Sequence, residues 1–449
     1  MRESLDLESL VDEFVLLTEG FEDLNFPDRG GTLLVEARVP RVQCLRIEIP
    51  AEDSLRLTSV IIDADGLDDP VAQTTRKATL PVNPAYGEVL EGGRLLDPTD
   101  DDLGLHTRVR PRPWLEITFD EPRDLRSVLV RNAIDEKAIV NRGIQVLVRT
   151  ADGWWSTLYD GVEREQQFQR TVERHFAGRV GTRRLDEQIR RRLRREPVAG
   201  DHGVAADLVR LMSAIQTHDY RNVFRDLDRV GLEPEVVSDF RKLVTDKALA
   251  RRELEWNIHG IRRSFRFWSE QEKQEYVGFA VDVMNCLRQL NDNVCFGFGS
   301  TLGIVRDQQL IPHDDDADVL IGFEQSEVPS LNQGLAMIEE CLRSKGFIVL
   351  GEYTSYRWVL PPSGKGSKLD AFVGLIESDD SVSWYPGKRG ALTREMMFPP
   401  SYRTFHGHDC PIPRQPEAYL EQIYGKDWRV PNPHFRHTWR RKAYADIKS

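Results

Sequence analysis

No stretch of this chain approaches the roughly 18 consecutive apolar residues that mark a membrane-spanning helix. Its opening residues, MRESLDLESLVDEF, are acidic and mixed, without the basic start and apolar centre of a secretion signal. Cysteine is scarce. The five residues Cys44, Cys286, Cys295, Cys341 and Cys410 are odd in number and never spaced CxxC, which argues against a zinc site or a disulfide framework and for a reducing, cytoplasmic setting. Basic residues do not dominate: 61 Lys and Arg face 73 Asp and Glu, a net charge of -12. A general nucleic-acid binder would show the opposite balance. Internal repeats and low-complexity tracts are also missing.

The chain has 449 residues, 40% hydrophobic and 30% charged. That length exceeds one ordinary core, and that composition is usual for globular protein. The expected class is α+β multidomain. An acidic first helix, Leu5 to Leu17, precedes short β-rich runs separated by turn clusters: 33–37, 44–49, 57–62, 114–119, 127–130, 144–148 and 155–159. They predict an antiparallel β-sandwich over residues 1–165, with Trp114 and Trp155 read as core. Helical periodicity takes over in a middle segment, 166–268, with helices at 204–215, 220–230, 234–243 and 248–267. Its arginine-rich piece, Leu185 to Glu196, reads as a solvated helix face. Residues 269–449 then predict a mixed sheet with helices. A helix over 269–290 packs on that sheet, another follows at 330–345, and strands lie at 347–350 and 356–360. Beyond Trp384 the chain reads as irregular except for a helix at 416–424.

The segment Phe296 to Phe323, FGFGSTLGIVRDQQLIPHDDDADVLIGF, stands apart. Asp314, Asp316 and Asp318 occupy alternate positions leading into the apolar run Val319, Leu320 and Ile321. A strand has a side-chain period of 2, so three carboxylates on one face can converge on shared cations. An EF-hand loop is excluded, because its glycine and glutamate positions hold Val319 and Gln325. Upstream, Gly299 and Ser300 open a short helical segment whose backbone N–H groups suit a phosphate, and Arg306 lies within reach of the same anion.

Gly299, Ser300, Thr301, Leu302, Gly303, Arg306, Ile311, Pro312, Asp314, Asp315, Asp316 and Asp318 resemble the signature of the LicD/fukutin family, within the nucleotidyltransferase superfold. Lys368-Leu369-Asp370-Ala371-Phe372 is similar to the superfold's third carboxylate on a later strand. Pro411-Ile412-Pro413, Tyr419-Leu420 and Tyr424 to Trp428 look like the family's closing motif; His313 stands where many members carry Trp. The resemblance implies that Asp316, Asp318 and Asp370 are catalytic and hold Mg²⁺ or Mn²⁺. Asp314 would serve as a further ligand or an outer-shell orienter, and Asp370 as acceptor of the attacking hydroxyl's proton. Gly299, Ser300, Arg306 and Lys368 would bind substrate, with Lys365 near them. The implied partners are a CDP-alcohol donor and a glycan or glycolipid acceptor. The implied reaction transfers phosphocholine, ribitol phosphate or glycerol phosphate and releases CMP. Nucleotidyl transfer to a protein or small molecule is the enzymatic alternative, and a non-catalytic glycan-binding scaffold is the other. A shorter resemblance, through His106-Thr107, Trp114 to Ile117, Glu121 to Asp124, Val130 to Asn132 and Trp155 to Tyr159, is to discoidin-type sandwiches, which often bind carbohydrate.

Overall fold

The computed structural model describes residues 6–82, 84–97, 99, 103–135, 137–176, 201–220, 223–257, 260–364, 366–385, 387–432, 435 and 441–448. The arginine-rich segment 185–196 and Lys365 lie outside the described residues. The chain divides into two compact units, Met1–Glu233 with Asp246–Ala248, and Pro234–Thr245 with Leu249–Ser449. Among the described residues no helix is long and apolar enough to cross a membrane.

The first unit is built on strands β1 (Thr32–Glu48), β2 (Glu52–Asp53), β3 (Arg56–Ala64), β4 (Thr74–Ala78), β5 (Leu105–His106), β6 (Arg110–Pro111), β7 (Trp114–Asn132), β8 (Gln145–Thr150) and β9 (Trp155–Asp160). Seven of them form an antiparallel sheet in the order β5-β3-β7-β1-β8-β9, with β4 also on β7. The runs read separately at 33–37 and 44–49 belong to one strand, as do 114–119 and 127–130. Pro40 and Pro122 interrupt the patterns. A proline is tolerated within a strand at a bulge, and the β1–β7 register does slip between Glu36 and Cys44. The two halves bend there and share one apolar core that includes Leu33, Val35, Leu45, Ile47, Leu115, Ile117, Val128 and Val130. Trp155 is not in that core. It sits on the outer strand β9, stays 42% exposed, and carries the Arg149 guanidinium over its ring. Trp114 is half-buried beneath Arg46.

Helices Gly161–Phe176, Asp201–Gln216 and Val223–Val230 follow, and Pro234–Val244 opens the second unit. The helix expected over 248–267 does not form. Glu253 turns left-handed (φ 55°), and strands β10 (Glu255–Asn257) and β11 (Gly260–Arg262) make a hairpin. Trp256 and Ile261 favour extended backbone, and Trp256 is buried edge-on to Phe240.

The second unit's main sheet contains β12 (Val294–Phe296), β13 (Asp318–Glu324), β14 (Ile348–Leu350), β15 (Tyr356–Leu360), β16 (Leu369–Ile376), β17 (Ser381–Trp384) and β18 (Leu392–Thr393). Its order is β12-β13-β16-β15-β14, with β17 and β18 continuing from β16. β13 and β16 run parallel, and the other pairs are antiparallel, as a mixed sheet requires. Residues beyond Trp384, read as irregular, also form a hairpin of β19 (Ser401–Phe405) and β20 (His408–Ile412) before the helix Pro416–Tyr424. Helix Glu270–Leu287 begins at a Ser269/Glu272 capping box. It packs, with helix Leu331–Ser344, on the face carrying Val319, Ile321, Ala371 and Val373. Leu320, Phe372 and Ile376 point to the opposite face, toward Trp384, Met397, Tyr419 and Trp428. Period 2 places Asp318 and Asp370 on that second face.

One tight contact supports this second face. Gly374 lies opposite Trp384 in the β16–β17 ladder, and a Cβ on it would come within 2.1 Å of the buried indole. Gly374→Ala is therefore expected to destabilise the protein by about 1–3 kcal/mol, the usual cost of overpacking. A lowered denaturation midpoint would show it.

Candidate functional site

The register of β13 on β16 pairs Asp318 with Asp370, and the Asp370 N–H donates to the Ala317 carbonyl at 2.8 Å. Two carboxylates from segments about fifty residues apart thus stand side by side on strands roughly 4.8 Å apart. The strand begins only at Asp318. Asp314 to Ala317 form an irregular approach, held by backbone bonds from Phe265 to Asp314 (2.9 Å) and from Arg266 to Pro312 (2.8 Å). Carboxylate oxygens of Asp314, Asp315 and Asp316 lie within 4.8 Å of one another. Asp315 differs from its neighbours. It is buried, with its oxygens on Arg262 (3.0 Å) and Asn257 (3.2 Å), so the β10–β11 hairpin balances its charge.

Lys368 projects between the two acidic segments. Its Nζ is 3.4 Å from Asp316 and 3.5 Å from Asp370. Burial works against its charge, but Asp370 and Asp316 outweigh that and hold its pKa above the usual lysine value. Asp318 has the reverse problem. Burial, then the charges of Asp316, Asp370 and Asp314, push its carboxyl well above the ordinary range, while the Gly299 N–H opposes them. Asp314, Asp316, Asp318 and Asp370, gathered near the Lys368 ammonium, offer the carboxylate oxygens that could hold a hard divalent cation.

The glycine turn shapes this cluster. The N–H groups of Gly297 and Phe298 donate to the Asp318 carbonyl (3.0 Å) and the Tyr419 hydroxyl (2.8 Å), and that of Gly299 meets the Asp318 carboxylate. Ser300 Oγ accepts from the Asp318 N–H at 2.9 Å. The Gly297 and Gly299 N–H groups thus hold the acidic strand in place, with Ser300 Oγ as an acceptor, whereas the sequence predicts Gly299 and Ser300 as phosphate donors. Gly299 is needed for close approach, since a Cβ there would lie 2.7 Å from Asp314 Oδ2. Arg306 is not brought to the cluster. Its guanidinium forks onto Asp307 (2.8 and 2.7 Å) and donates to the Trp428 carbonyl at 3.3 Å.

The sequence reading missed a wall of aromatic rings beside the carboxylates. Trp358 pairs with Asp370 and Tyr356 with Phe372 across β15–β16. Tyr356 stacks on Phe372 at 4.8 Å, and Tyr353 stacks on Tyr356 at 4.5 Å with rings 2° from parallel. Tyr353 also meets Trp358 at 4.9 Å, and Lys368 Nζ stands 4.7 Å from the centre of the Trp358 ring. The available signal was the alternation of Tyr356 and Trp358 on one strand, which puts both rings on one face.

The electrostatics have a measurable consequence. A carboxyl whose folded pKa is raised keeps a proton that the unfolded chain has released, so its contribution to stability falls as pH rises from the ordinary carboxylate pKa toward the raised one. In EDTA, Asp318→Asn is expected to unfold at a higher temperature than the parent at pH 8. A relief of 1 kcal/mol corresponds to about 2–4 °C for a unit of this size. The difference should shrink as pH approaches 4, and a thermal-melt series across pH reads it directly.

A search of curated proteins gives no match to this chain. A family model described as LicD/FKTN/FKRP, nucleotidyltransferase domain, matches residues 291–415. The match spans the glycine turn, the acidic approach, Lys368 and Asp370, and does not reach the N-terminal sheet. Over these residues the chain is similar to the LicD/FKTN/FKRP nucleotidyltransferase domain.

Proposed function

We propose that this site is a metal-dependent phosphotransferase centre that moves a phospho-alcohol from a CDP-linked donor to a hydroxyl of a glycan or glycolipid, releasing CMP. The family match supports transferase chemistry on glycans. The observation that carries the finer reading is the pairing of Asp318 with Asp370 on adjacent parallel strands, with Asp316 and Lys368 at the same opening. Asp316, Asp318 and Asp370, with Asp314 beside them, would hold Mg²⁺ or Mn²⁺. When bound, such an ion neutralises phosphate charge and stabilises the transition state. The Lys368 ammonium, already poised between Asp316 and Asp370, is the cationic side chain for the donor's diphosphate. Asp370 accepts the proton of the acceptor hydroxyl as its oxygen bonds to the phosphorus bearing the alcohol. The bond from that phosphorus to the bridging oxygen breaks, and CMP departs with the electron pair.

Among choline, ribitol and glycerol donors, the aromatic wall supports choline. Electron-rich ring faces attract cations, and Trp358 already faces the Lys368 ammonium at 4.7 Å. A polyol headgroup would instead call for a lining of hydrogen-bonding side chains.

The protein is to be incubated with CDP-choline, CDP-ribitol, CDP-glycerol and the four nucleoside triphosphates, with Mg²⁺, with Mn²⁺ and with EDTA. Metal-dependent CMP release from a CDP-alcohol is expected, fastest with CDP-choline; pyrophosphate release from a triphosphate would instead establish nucleotidyl transfer. Donor binding without turnover in any acceptor mixture would favour a scaffold. Asp316→Asn should retain its fold by circular dichroism and lose turnover by about two orders of magnitude or more, as removal of one electrostatic stabiliser commonly does. Trp358→Ala should raise KM for CDP-choline more than for CDP-glycerol.

A further inference from the structure

The β13–β16 ladder stops in an unusual way. In a parallel pair the bonds are evenly spaced. With Asp318 opposite Asp370 and the Asp370 N–H on the Ala317 carbonyl, the next rung would run from the Ala317 N–H to the Lys368 carbonyl. That rung is replaced. The Tyr276 hydroxyl accepts from the Ala317 N–H at 2.9 Å and donates to the Lys368 carbonyl at 2.7 Å. A phenol oxygen therefore sits between two strands where a direct bond belongs, at the level where Asp316 and Lys368 face each other.

Tyr276 is placed there rigidly. It belongs to helix Glu270–Leu287, is 5% exposed, and its ring packs against Phe265 (5.7 Å), Trp268 (5.2 Å) and Phe279 (6.2 Å). Its ring approaches from the helix-covered face, while the carboxylates open on the other. Its hydroxyl meets the two backbones that carry the carboxylates, and so bears on their separation.

We propose that Tyr276 is a positioning residue: its hydroxyl wedges β13 and β16 apart at their site end, and so sets the width of the cation-binding opening between Asp316, Asp318 and Asp370. This rests on the metal-dependent reading above. With the hydroxyl removed, the Ala317 N–H and Lys368 carbonyl can close the rung directly, drawing the carboxylates together. Width matters because Mg²⁺ demands oxygen ligands at about 2.0–2.1 Å in near-ideal geometry, whereas Ca²⁺ accepts about 2.3–2.6 Å.

The test is Mn²⁺ titration of the full-length chain without substrate, followed by electron paramagnetic resonance, on the parent, Tyr276→Phe and Leu335→Ala. Leu335 is a fully buried core residue of helix Leu331–Ser344, and its truncation serves as a control for lost stability. The expected result is a 10–100-fold weaker Mn²⁺ affinity for Tyr276→Phe, the range seen when a partner behind a metal ligand is removed, with Leu335→Ala binding as the parent does. Unchanged affinity in Tyr276→Phe, or equal loss in both variants, would overturn the wedge while leaving the metal site standing. A parent that binds no Mn²⁺ would overturn the metal reading itself. Should Tyr276→Phe not fold, a crystal structure of the Mn²⁺-loaded parent decides: the phenol bridge must persist, and a direct Ala317–Lys368 rung would refute the proposal.

Discussion

The second unit is organised around one electrostatic conflict: acidic side chains forced together on neighbouring parallel strands. Asp318 and Asp370 are adjacent because β13 and β16 pair in register, and Asp316 and Asp314 arrive on the same opening from the irregular approach. Like charges at such spacing oppose folding. Lys368 relieves part of the repulsion, while burial and the neighbouring charges push the Asp318 carboxyl well above its ordinary pKa. Under the function proposed above, a divalent ion would offset that repulsion.

Much of the surrounding structure restrains these acids. The β10–β11 hairpin supplies Arg262 and Asn257 to Asp315, which balances that carboxylate's charge. The backbone of 265–266 pins 312–314, the glycine turn grips Asp318 at its N–H, carbonyl and carboxylate, and Tyr419 holds the turn. These are hydrogen bonds to backbone or to buried charge, where partners matter most, since an unsatisfied buried group costs about 1–3 kcal/mol. The aromatic wall then closes the carboxylate side with rings whose faces favour positive charge.

Sequence reading succeeded where a residue's role is set by its near neighbours. The helix at 416–424 and the strands at 347–350 and 356–360 are all local patterns. It failed where a role depends on what the fold places opposite. Arg306 was assigned to an anion, yet Asp307 beside it takes the guanidinium. The Gly299 N–H, expected at a phosphate, meets the Asp318 carboxylate instead, and Ser300 Oγ accepts from the Asp318 N–H. Trp155 looked like core, but an outer strand has no layer beyond it. The hairpin 255–262 looked helical because amphipathic spacing over a short window does not reveal that Trp256 has a buried partner in Phe240.

The amino-acid sequence alone determined the mixed α+β class, the acidic motif, Asp370 as a third carboxylate and the family resemblance, because these are carried by residue identity and spacing of period 2 or 3.6. Only the tertiary structure decided that Asp318 faces Asp370, that Lys368 stands between the acidic segments, that Trp358 and Tyr356 line the opening, and that the Tyr276 hydroxyl replaces a rung of the ladder. Each of those is a contact between segments tens of residues apart, and strand register, which no local pattern encodes, sets it.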